Sequence, residues 1–150
     1  MEHKNGLMDE QLIYAARVAE IIKATYAVVP KACVETYGCQ QNVSDSEHIK
    51  GFLLKMGYEL TEVAEEADFV LFNTCAVREH AEARVYGNLG ALKHLKRRRP
   101  GMIIAICGCM VQQKTVAERI RKSYPYVDIL FGTHVTHRFP EFVYKLLTGK

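Results

Sequence analysis

Three cysteines each come directly after an apolar segment, at points where a buried strand would end and a turn begin. They are Cys39 in Tyr-Gly-Cys-Gln-Gln-Asn, Cys75 in Asn-Thr-Cys and Cys109 in Gly-Cys-Met-Val-Gln. Parallel strands bring the turns at their carboxyl ends to one edge of the sheet, so residues far apart in sequence can share a site. Thiolates bind iron and zinc, and a helix amino terminus favours the thiolate. The three turns therefore predict a metal site.

The pattern leaves two kinds of metal site open. A closed structural zinc site normally has four protein ligands and often a Cys-x-x-Cys pair, which this sequence lacks. Cys107 or a histidine would have to supply the fourth zinc ligand. Three cysteines on a four-iron cluster instead leave one iron open to an external ligand or to chemistry. The spacing favours iron–sulfur over zinc only modestly.

The sequence contains two further cysteines, which makes the total odd. In a reducing compartment they are better interpreted as free thiols than as parts of a disulfide framework. Cys33 lies inside a predicted strand and is expected to be a core thiol. Cys107 is expected to be a packed neighbour of the site, with a spare ligand as the alternative. Among the six histidines, His80 is nearest to a site cysteine and is expected on a helix surface.

Small and polar residues next to the three cysteines have two possible roles each. Gly38 and Gly108 let the backbone turn or approach a ligand closely, and ordinary turn chemistry explains them equally well. Asn42, Asn73 and Gln112 either form hydrogen bonds around the site or cap helices. Sequence alone does not separate these roles.

The composition predicts one globular domain. The chain has 150 residues, of which 49% are hydrophobic, and this is enough for a sizeable core. A net charge of +3 is too small to establish a nucleic-acid partner. No apolar segment approaches the roughly 20 residues that span a bilayer, and the polar start lacks the pattern of a signal peptide. We therefore expect a cytoplasmic protein without a membrane partner.

Strands that alternate with helices must position the cysteines. The predicted helices are 8–26, 44–56, 77–98, one around Val116 and Ile120, and one starting at Pro140. A capping box at Ser44 to Glu47 is predicted to start the second helix. The predicted strands are 32–37, 58–60, 69–72, 102–106 and 127–131.

This alternation predicts an α/β three-layer sandwich. Its sheet is expected to be mainly parallel and flavodoxin-like or Rossmann-like, with helices on both faces. The flavodoxin-like strand order 2-1-3-4-5 would make the three cysteine-bearing strands neighbours. Residues 1–30 are predicted to form an amino-terminal helical extension, and residues 31–150 the domain proper.

A basic segment ends the predicted helix 77–98. It consists of Lys93, Lys96, Arg97, Arg98 and Arg99. One interpretation is a solvated helix end whose cations complement the helix macrodipole. The other is a contact with an RNA backbone, which would make tRNA binding dependent on salt.

In this order, the three cysteine motifs resemble the amino-terminal domain of the radical S-adenosylmethionine methylthiotransferases. The resemblance extends from about Lys31 to the carboxyl end. It implies an auxiliary 4Fe-4S cluster held by Cys39, Cys75 and Cys109, whose open iron binds the sulfur to be inserted. Cys33 and Cys107 match no ligand position of the family.

The motifs are most similar to the branch that adds a methylthio group to C2 of N6-isopentenyladenosine, next to the anticodon of tRNA. Branches that act on a ribosomal protein or on another modified adenosine usually differ beside the first cysteine. The resemblance further implies two S-adenosylmethionine molecules per turnover, one as methyl donor and one as radical source.

Two domains that the family carries are missing from this sequence. The radical chemistry needs a second 4Fe-4S cluster on a Cys-x-x-x-Cys-x-x-Cys motif, and a small RNA-binding domain usually follows. We therefore expect an isolated domain of a methylthiotransferase that is inactive alone and acts with the missing radical domain on tRNA. The alternative from another class is a non-catalytic zinc-binding or thiol-rich interaction module.

Overall fold

The computed structural model describes residues 2–38, 40–75 and 79–149, without the side chains of residues 2–5 and 79–81. Five α-helices lie within these ranges: α1 (Glu2–Thr25), α2 (Gln40–Lys55), α3 (Glu79–Arg98), α4 (Lys114–Ser123) and α5 (Phe139–Thr148). The same ranges contain five strands: β1 (Lys31–Thr36), β2 (Glu59–Leu60), β3 (Phe69–Thr74), β4 (Ile103–Gly108) and β5 (Ile129–Phe131). Short 3₁₀ helices occupy Ala64–Glu66, Cys109–Gln112 and Thr133–Arg138.

The five strands form one parallel sheet in the order β2-β1-β3-β4-β5. Each residue of β3 and β4 is buried, because helices cover both faces of these central strands. The predicted α/β class is therefore confirmed, and the strand order is the flavodoxin-like one of the two sheet types that were predicted. Thr36 is paired with Asn73, and Asn73 with Cys107, so β1, β3 and β4 end at the same edge.

Helices on the two faces of the sheet bury separate hydrophobic cores. On one face, α1, α2 and α5 contribute side chains such as Val18, Leu53 and Val143. On the other face, α3 and α4 contribute Leu89 and Ile120 among others. The molecule thus has three layers, with the sheet in the middle.

Helix α1 belongs to the first of these layers. Its Gln11 side chain is buried and pairs with Glu141 at the start of α5, accepting a hydrogen bond from the Glu141 backbone N–H at 3.2 Å. The helix begins at Glu2, six residues before the predicted start. None of the helices in the described ranges is long and apolar enough to cross a membrane.

The predicted capping box at Ser44 to Glu47 is wrong. Helix α2 begins at Gln40, so Ser44 lies inside the helix and its start follows Cys39 directly. Ser46, a member of the predicted box, is buried and forms a hydrogen bond of 2.6 Å with the hydroxyl of Thr36 in β1. The predicted start of the next helix at Val77 lies outside the described residues.

Candidate metal centre

The turns that carry the three cysteines follow β1, β3 and β4, which are neighbours in the sheet. Cys75 comes directly after Thr74, the last residue of β3, and its side chain is only 4% exposed. Cys109 comes directly after β4, opens a 3₁₀ helix and is half-buried. Cys39 lies outside the described residues, but Gly38 before it and Gln40 after it are described.

Gly38 brings the first cysteine turn into contact with the second. Its φ of +140° lies in a region that residues with a side chain rarely adopt. A Cβ added here would lie 2.5 Å from the Cβ of Cys75 and 2.5 Å from Oδ1 of Asn42. Only a glycine leaves room for this approach, so the residue before Cys39 packs directly on Cys75.

Gly108, just before Cys109, likewise allows the turn after β4 to contact the end of β3, just before Cys75. Its φ is +105°, and an added Cβ would lie 2.2 Å from the carbonyl oxygen of Thr74. The hydroxyl of Thr74 donates a hydrogen bond of 2.7 Å to the carbonyl of Cys107. The residues that immediately precede Cys75 and Cys109 are therefore in contact across the sheet edge.

A buried polar network lies beneath the first two turns. Asn42 Nδ2 donates to Asn73 Oδ1 at 3.2 Å and to the carbonyl of Thr74 at 2.9 Å. Asn73 Nδ2 donates to the carbonyl of Asn42 at 2.8 Å and to Ser46 Oγ at 3.0 Å. The two asparagines thus form hydrogen bonds beside the cysteine turns, a role that the sequence could not separate from helix capping.

Gln112 lies on the far side of the third turn. Its side chain packs across the turn after β5, where a Cβ on Gly132 would lie 2.5 Å from Gln112 Cγ. The side chain is exposed and does not join the network of Asn42 and Asn73 among the described contacts.

The side chains of Cys33 and Cys107 are buried in the two cores, and Cys107 directly precedes Gly108 of the third turn. Each is 1% exposed, Cys33 in the core under α3 and Cys107 in the core under α2. Burial raises the pKa of the Cys33 thiol to about 11, and burial also raises the pKa of the Cys107 thiol. Both are therefore neutral thiols at pH 7 in the metal-free protein.

Histidine contributes nothing to this edge in the described part of the chain. The histidines whose side chains are described are all exposed: His48, His94, His134 and His137. The side chain of His80 lies outside the described residues. Within the described ranges, no three His, Cys, Asp or Glu residues are grouped so that they could hold a metal ion. Cys75 and Cys109 are the candidate ligands that the structure describes.

Sequence reasoning missed the environment of Tyr37. Its hydroxyl donates to Glu35 at 3.0 Å and accepts a hydrogen bond from Asn88 of α3 at 2.7 Å. The guanidinium of Arg84 lies 5.6 Å from the ring centre. Burial raises the pKa of Tyr37 to about 12, so the phenol stays protonated. These contacts fix the end of β1 to α3, and the position of Tyr37 two residues before Cys39 was the signal available in the sequence.

The basic segment is partly used in ion pairs. Lys96 pairs with Asp128 at 2.5 Å, and Arg99 donates to the carbonyl of Glu65 at 2.6 Å and lies 3.6 Å from Asp68. The remaining cations of the segment are exposed and form no ion pair within the described ranges. They are Lys93, Arg97 and Arg98.

The ion pairs also locate the basic segment relative to the cysteines. Asp68 immediately precedes β3, and Asp128 immediately precedes β5, so both mark the amino-terminal edge of the sheet. The cysteine turns lie at the opposite, carboxyl-terminal edge. Six residues of β3 separate the two edges, which corresponds to about 20 Å at the rise of a parallel strand.

The fold and the cysteine edge together define a parallel α/β domain with a candidate thiolate metal centre. Residues 31–132, which include all three cysteine turns, match the model of a family described as uncharacterized protein family UPF0004. The chain belongs to this family, which is the amino-terminal domain of methylthiotransferases.

Several curated relatives are more than half identical to this chain over the matched residues. A tRNA-2-methylthio-N(6)-dimethylallyladenosine synthase of Clostridium perfringens is 56% identical over 115 residues, which are 77% of this chain and 26% of that protein. Proteins of the same name from Caldicellulosiruptor saccharolyticus and Thermoanaerobacter pseudethanolicus are 57% and 54% identical, over 77% and 78% of this chain. The chain spans about a quarter of the length of these relatives.

Proposed function

We propose that this chain is the auxiliary-cluster domain of a tRNA methylthiotransferase, with Cys39, Cys75 and Cys109 as the ligands of a 4Fe-4S cluster. The observation that carries the proposal is the contact between the three turns. Gly38, next to Cys39, packs on Cys75, and Gly108, next to Cys109, packs on Thr74. Segments separated by more than thirty residues are thereby held at one sheet edge.

The donor set supports a cluster better than structural zinc. The described part of the edge offers the thiols of Cys75 and Cys109 and no histidine, and Cys39 would add a third thiol. A structural zinc site needs a fourth protein ligand, and the remaining thiol nearby, Cys107, is only 1% exposed in the core. Three thiolates suffice for a 4Fe-4S cluster that keeps one iron accessible. When bound, such a cluster supplies an iron at which a sulfur donor can be held.

The proposed reaction of the complete protein follows from the relatives. They are named for the synthesis of 2-methylthio-N(6)-dimethylallyladenosine in tRNA. We propose the same reaction here: transfer of a methylthio group to C2 of N6-isopentenyladenosine next to the anticodon, in the cytoplasm. S-adenosylmethionine and a second 4Fe-4S cluster would belong to a radical domain outside this sequence.

The role of this domain in tRNA binding is proposed to be confined to phosphate contacts. Lys93, Arg97 and Arg98 are exposed and unpaired within the described ranges, so they are the cations available to an RNA backbone. They lie at the sheet edge opposite the cysteines. A phosphate bound there would therefore be about 20 Å or more from the modified base.

Anaerobic reconstitution with iron and sulfide tests the cluster assignment. The chain should bind about four irons and four sulfides, and Mössbauer spectra should show a 4Fe-4S cluster. Changing Cys39, Cys75 or Cys109 to Ala should abolish or strongly reduce cluster binding. Cys33→Ala is the matched control, because it removes a buried thiol from the neighbouring core and should leave the cluster intact. Stoichiometric zinc without a cluster would contradict the proposal.

A domain replacement tests the reaction. The chain would replace the matching amino-terminal quarter of the Clostridium perfringens relative, and the hybrid would be expressed in cells that lack their own methylthiotransferase. Mass spectrometry of tRNA nucleosides should then detect the methylthio group. A hybrid that carries both clusters but leaves the tRNA unmodified would contradict the proposed reaction, and Cys75→Ala in the hybrid provides the inactive reference.

A further inference from the structure

We infer that Asn42 and Asn73 are positioning residues that hold the first two cysteine turns at the separation a cluster requires. This inference rests on the proposed function. Asn42 lies three residues after Cys39, and Asn73 lies two residues before Cys75. The Asn42 side chain donates a hydrogen bond to the Asn73 side chain, and the Asn73 side chain donates one to the backbone carbonyl of Asn42, so the two residues join the start of α2 to the end of β3.

The orientation of both amides is fixed by main-chain acceptors. Asn42 Nδ2 lies 2.9 Å from the carbonyl of Thr74, and Asn73 Nδ2 lies 2.8 Å from the carbonyl of Asn42. A carbonyl oxygen only accepts hydrogen bonds, so each amide must present its nitrogen to it. The remaining bond, from Asn42 Nδ2 to Asn73 Oδ1, then has a single possible direction. The pair therefore specifies one arrangement of the two turns.

Burial makes this arrangement rigid. Asn42 is 2% exposed and Asn73 is 1% exposed, so water cannot replace a broken bond between them. Inside a protein an unpaired amide is costly, and a fully satisfied network specifies one conformation. Asn42 also supports the first turn directly, since its Oδ1 occupies the space where Gly38 would carry a Cβ.

The pair lies where cluster ligands need support. Residues that do not bind the metal but form hydrogen bonds that orient its ligands commonly weaken metal affinity by about 10- to 100-fold when they are removed. Asn42 and Asn73 act on the backbone that carries Cys39 and Cys75 and do not themselves supply a thiolate. Their loss should therefore loosen the cluster while the three ligands are still present.

The experiment compares reconstituted wild-type chain with Asn42→Ala, Asn73→Ala and the double variant. Iron release to a colourimetric chelator and the electron paramagnetic resonance spectrum of the reduced cluster are measured under anaerobic conditions. Each single variant should release iron about tenfold faster or more and show shifted g-values. The double variant should be little worse than either single variant, because both remove the same connection.

Gln11→Ala is the matched control for a general loss of stability. Gln11 is equally buried and forms its hydrogen bonds with Glu141, across the interface of α1 and α5. This variant should lower the midpoint of thermal unfolding without changing iron release or the spectrum. If Asn73→Ala does not fold, Ser46→Ala replaces it, since it removes one acceptor of Asn73.

The outcomes separate this inference from the proposed function. Unchanged iron release and unchanged g-values in the asparagine variants would overturn the inference while the cluster assignment stands. Equal acceleration in Gln11→Ala would also overturn it, because stability alone would then control iron release. A wild-type chain that binds no cluster would overturn the proposed function itself.

Discussion

Gly108 lies against Thr74 so closely that the carbonyl oxygen and the amide nitrogen of Thr74 are 2.2 and 2.7 Å from the place where a Cβ would be. Both of these atoms belong to the main chain of β3 and cannot rotate away. Gly108→Ala should therefore destabilise the fold by about 3 kcal/mol or more, through left-handed backbone strain and overpacking. Urea denaturation measures the loss. Gly87→Ala, at an exposed position of α3 where an added Cβ would meet no atom within 4 Å beyond the neighbouring backbone of the helix, should instead be neutral or stabilising by up to about 1 kcal/mol.

Glu141 makes the stability of the fold depend on pH in the acid range. Hydrogen bonds from Arg138 and Lys145 lower its pKa from the ordinary 4.5 to about 2. A carboxylate with a lowered folded-state pKa stabilises the fold above pH 4.5, and this contribution is lost as pH falls toward 2. The full pKa shift corresponds to about 3 kcal/mol, and screening of the half-exposed Arg138 and Lys145 by solvent reduces the expected contribution to about 2 kcal/mol. Unfolding measured from pH 6 to pH 2 should show the loss, and Glu141→Gln should show a flatter profile over the same range.

The five cysteines should differ in their reaction with iodoacetamide. Among the four described cysteines, in the folded, metal-free chain at pH 8, Cys109 should be modified first because it is half-buried, whereas Cys33 and Cys107 should resist. Burial raises the pKa of both resistant thiols, so almost no thiolate is present to react. Mass spectrometry of proteolytic fragments identifies the modified sites. Rapid modification of Cys33 in the folded chain would contradict its placement in the core, and denatured protein, in which all five react, provides the reference.

The exposed cations of the basic segment should affect RNA binding through charge alone. Arg97→Ala combined with Arg98→Ala should weaken binding of an anticodon stem-loop to this chain. The double change should also reduce the slope of log affinity against log salt by between about 1 and 2, since up to two phosphate contacts are lost. Fluorescence anisotropy at several salt concentrations measures both effects. Lys23→Ala with Lys55→Ala removes equal charge from exposed positions of α1 and α2 and should leave the slope unchanged.

The sequence was sufficient to predict the parallel α/β sheet, and it predicted adjacent cysteine turns on the condition of a flavodoxin-like strand order, which the structure has. Apolar segments such as 69–72 and 102–106 mark buried parallel strands, and the preference for right-handed crossovers restricts how they can be arranged. The contact of Gly38 with Cys75 could not be predicted, because it depends on a register between β1 and β3 that no local pattern encodes.

The polar partners could not be predicted for a related reason. Ser44 to Glu47 has the local pattern of a capping box, but these residues lie inside α2, where Ser46 is buried and hydrogen-bonded to Thr36 and Asn73. Likewise the basic segment gave no sign that Lys96 would pair with Asp128, thirty-two residues away. Hydrogen bonds and ion pairs between distant segments depend on the completed fold. Rules based on local secondary-structure propensity therefore do not predict them.

The separation of the two sheet edges also insulates the cysteines electrostatically. At physiological ionic strength the potential of an exposed charge decays over about 8 Å, and the exposed cations at the end of α3 lie more than twice that distance from the cysteine turns. Their charge therefore exerts little electrostatic field at the cysteine edge of the sheet. Substitutions in the basic segment can therefore change the affinity for an anionic partner without changing the chemistry at the cysteine turns.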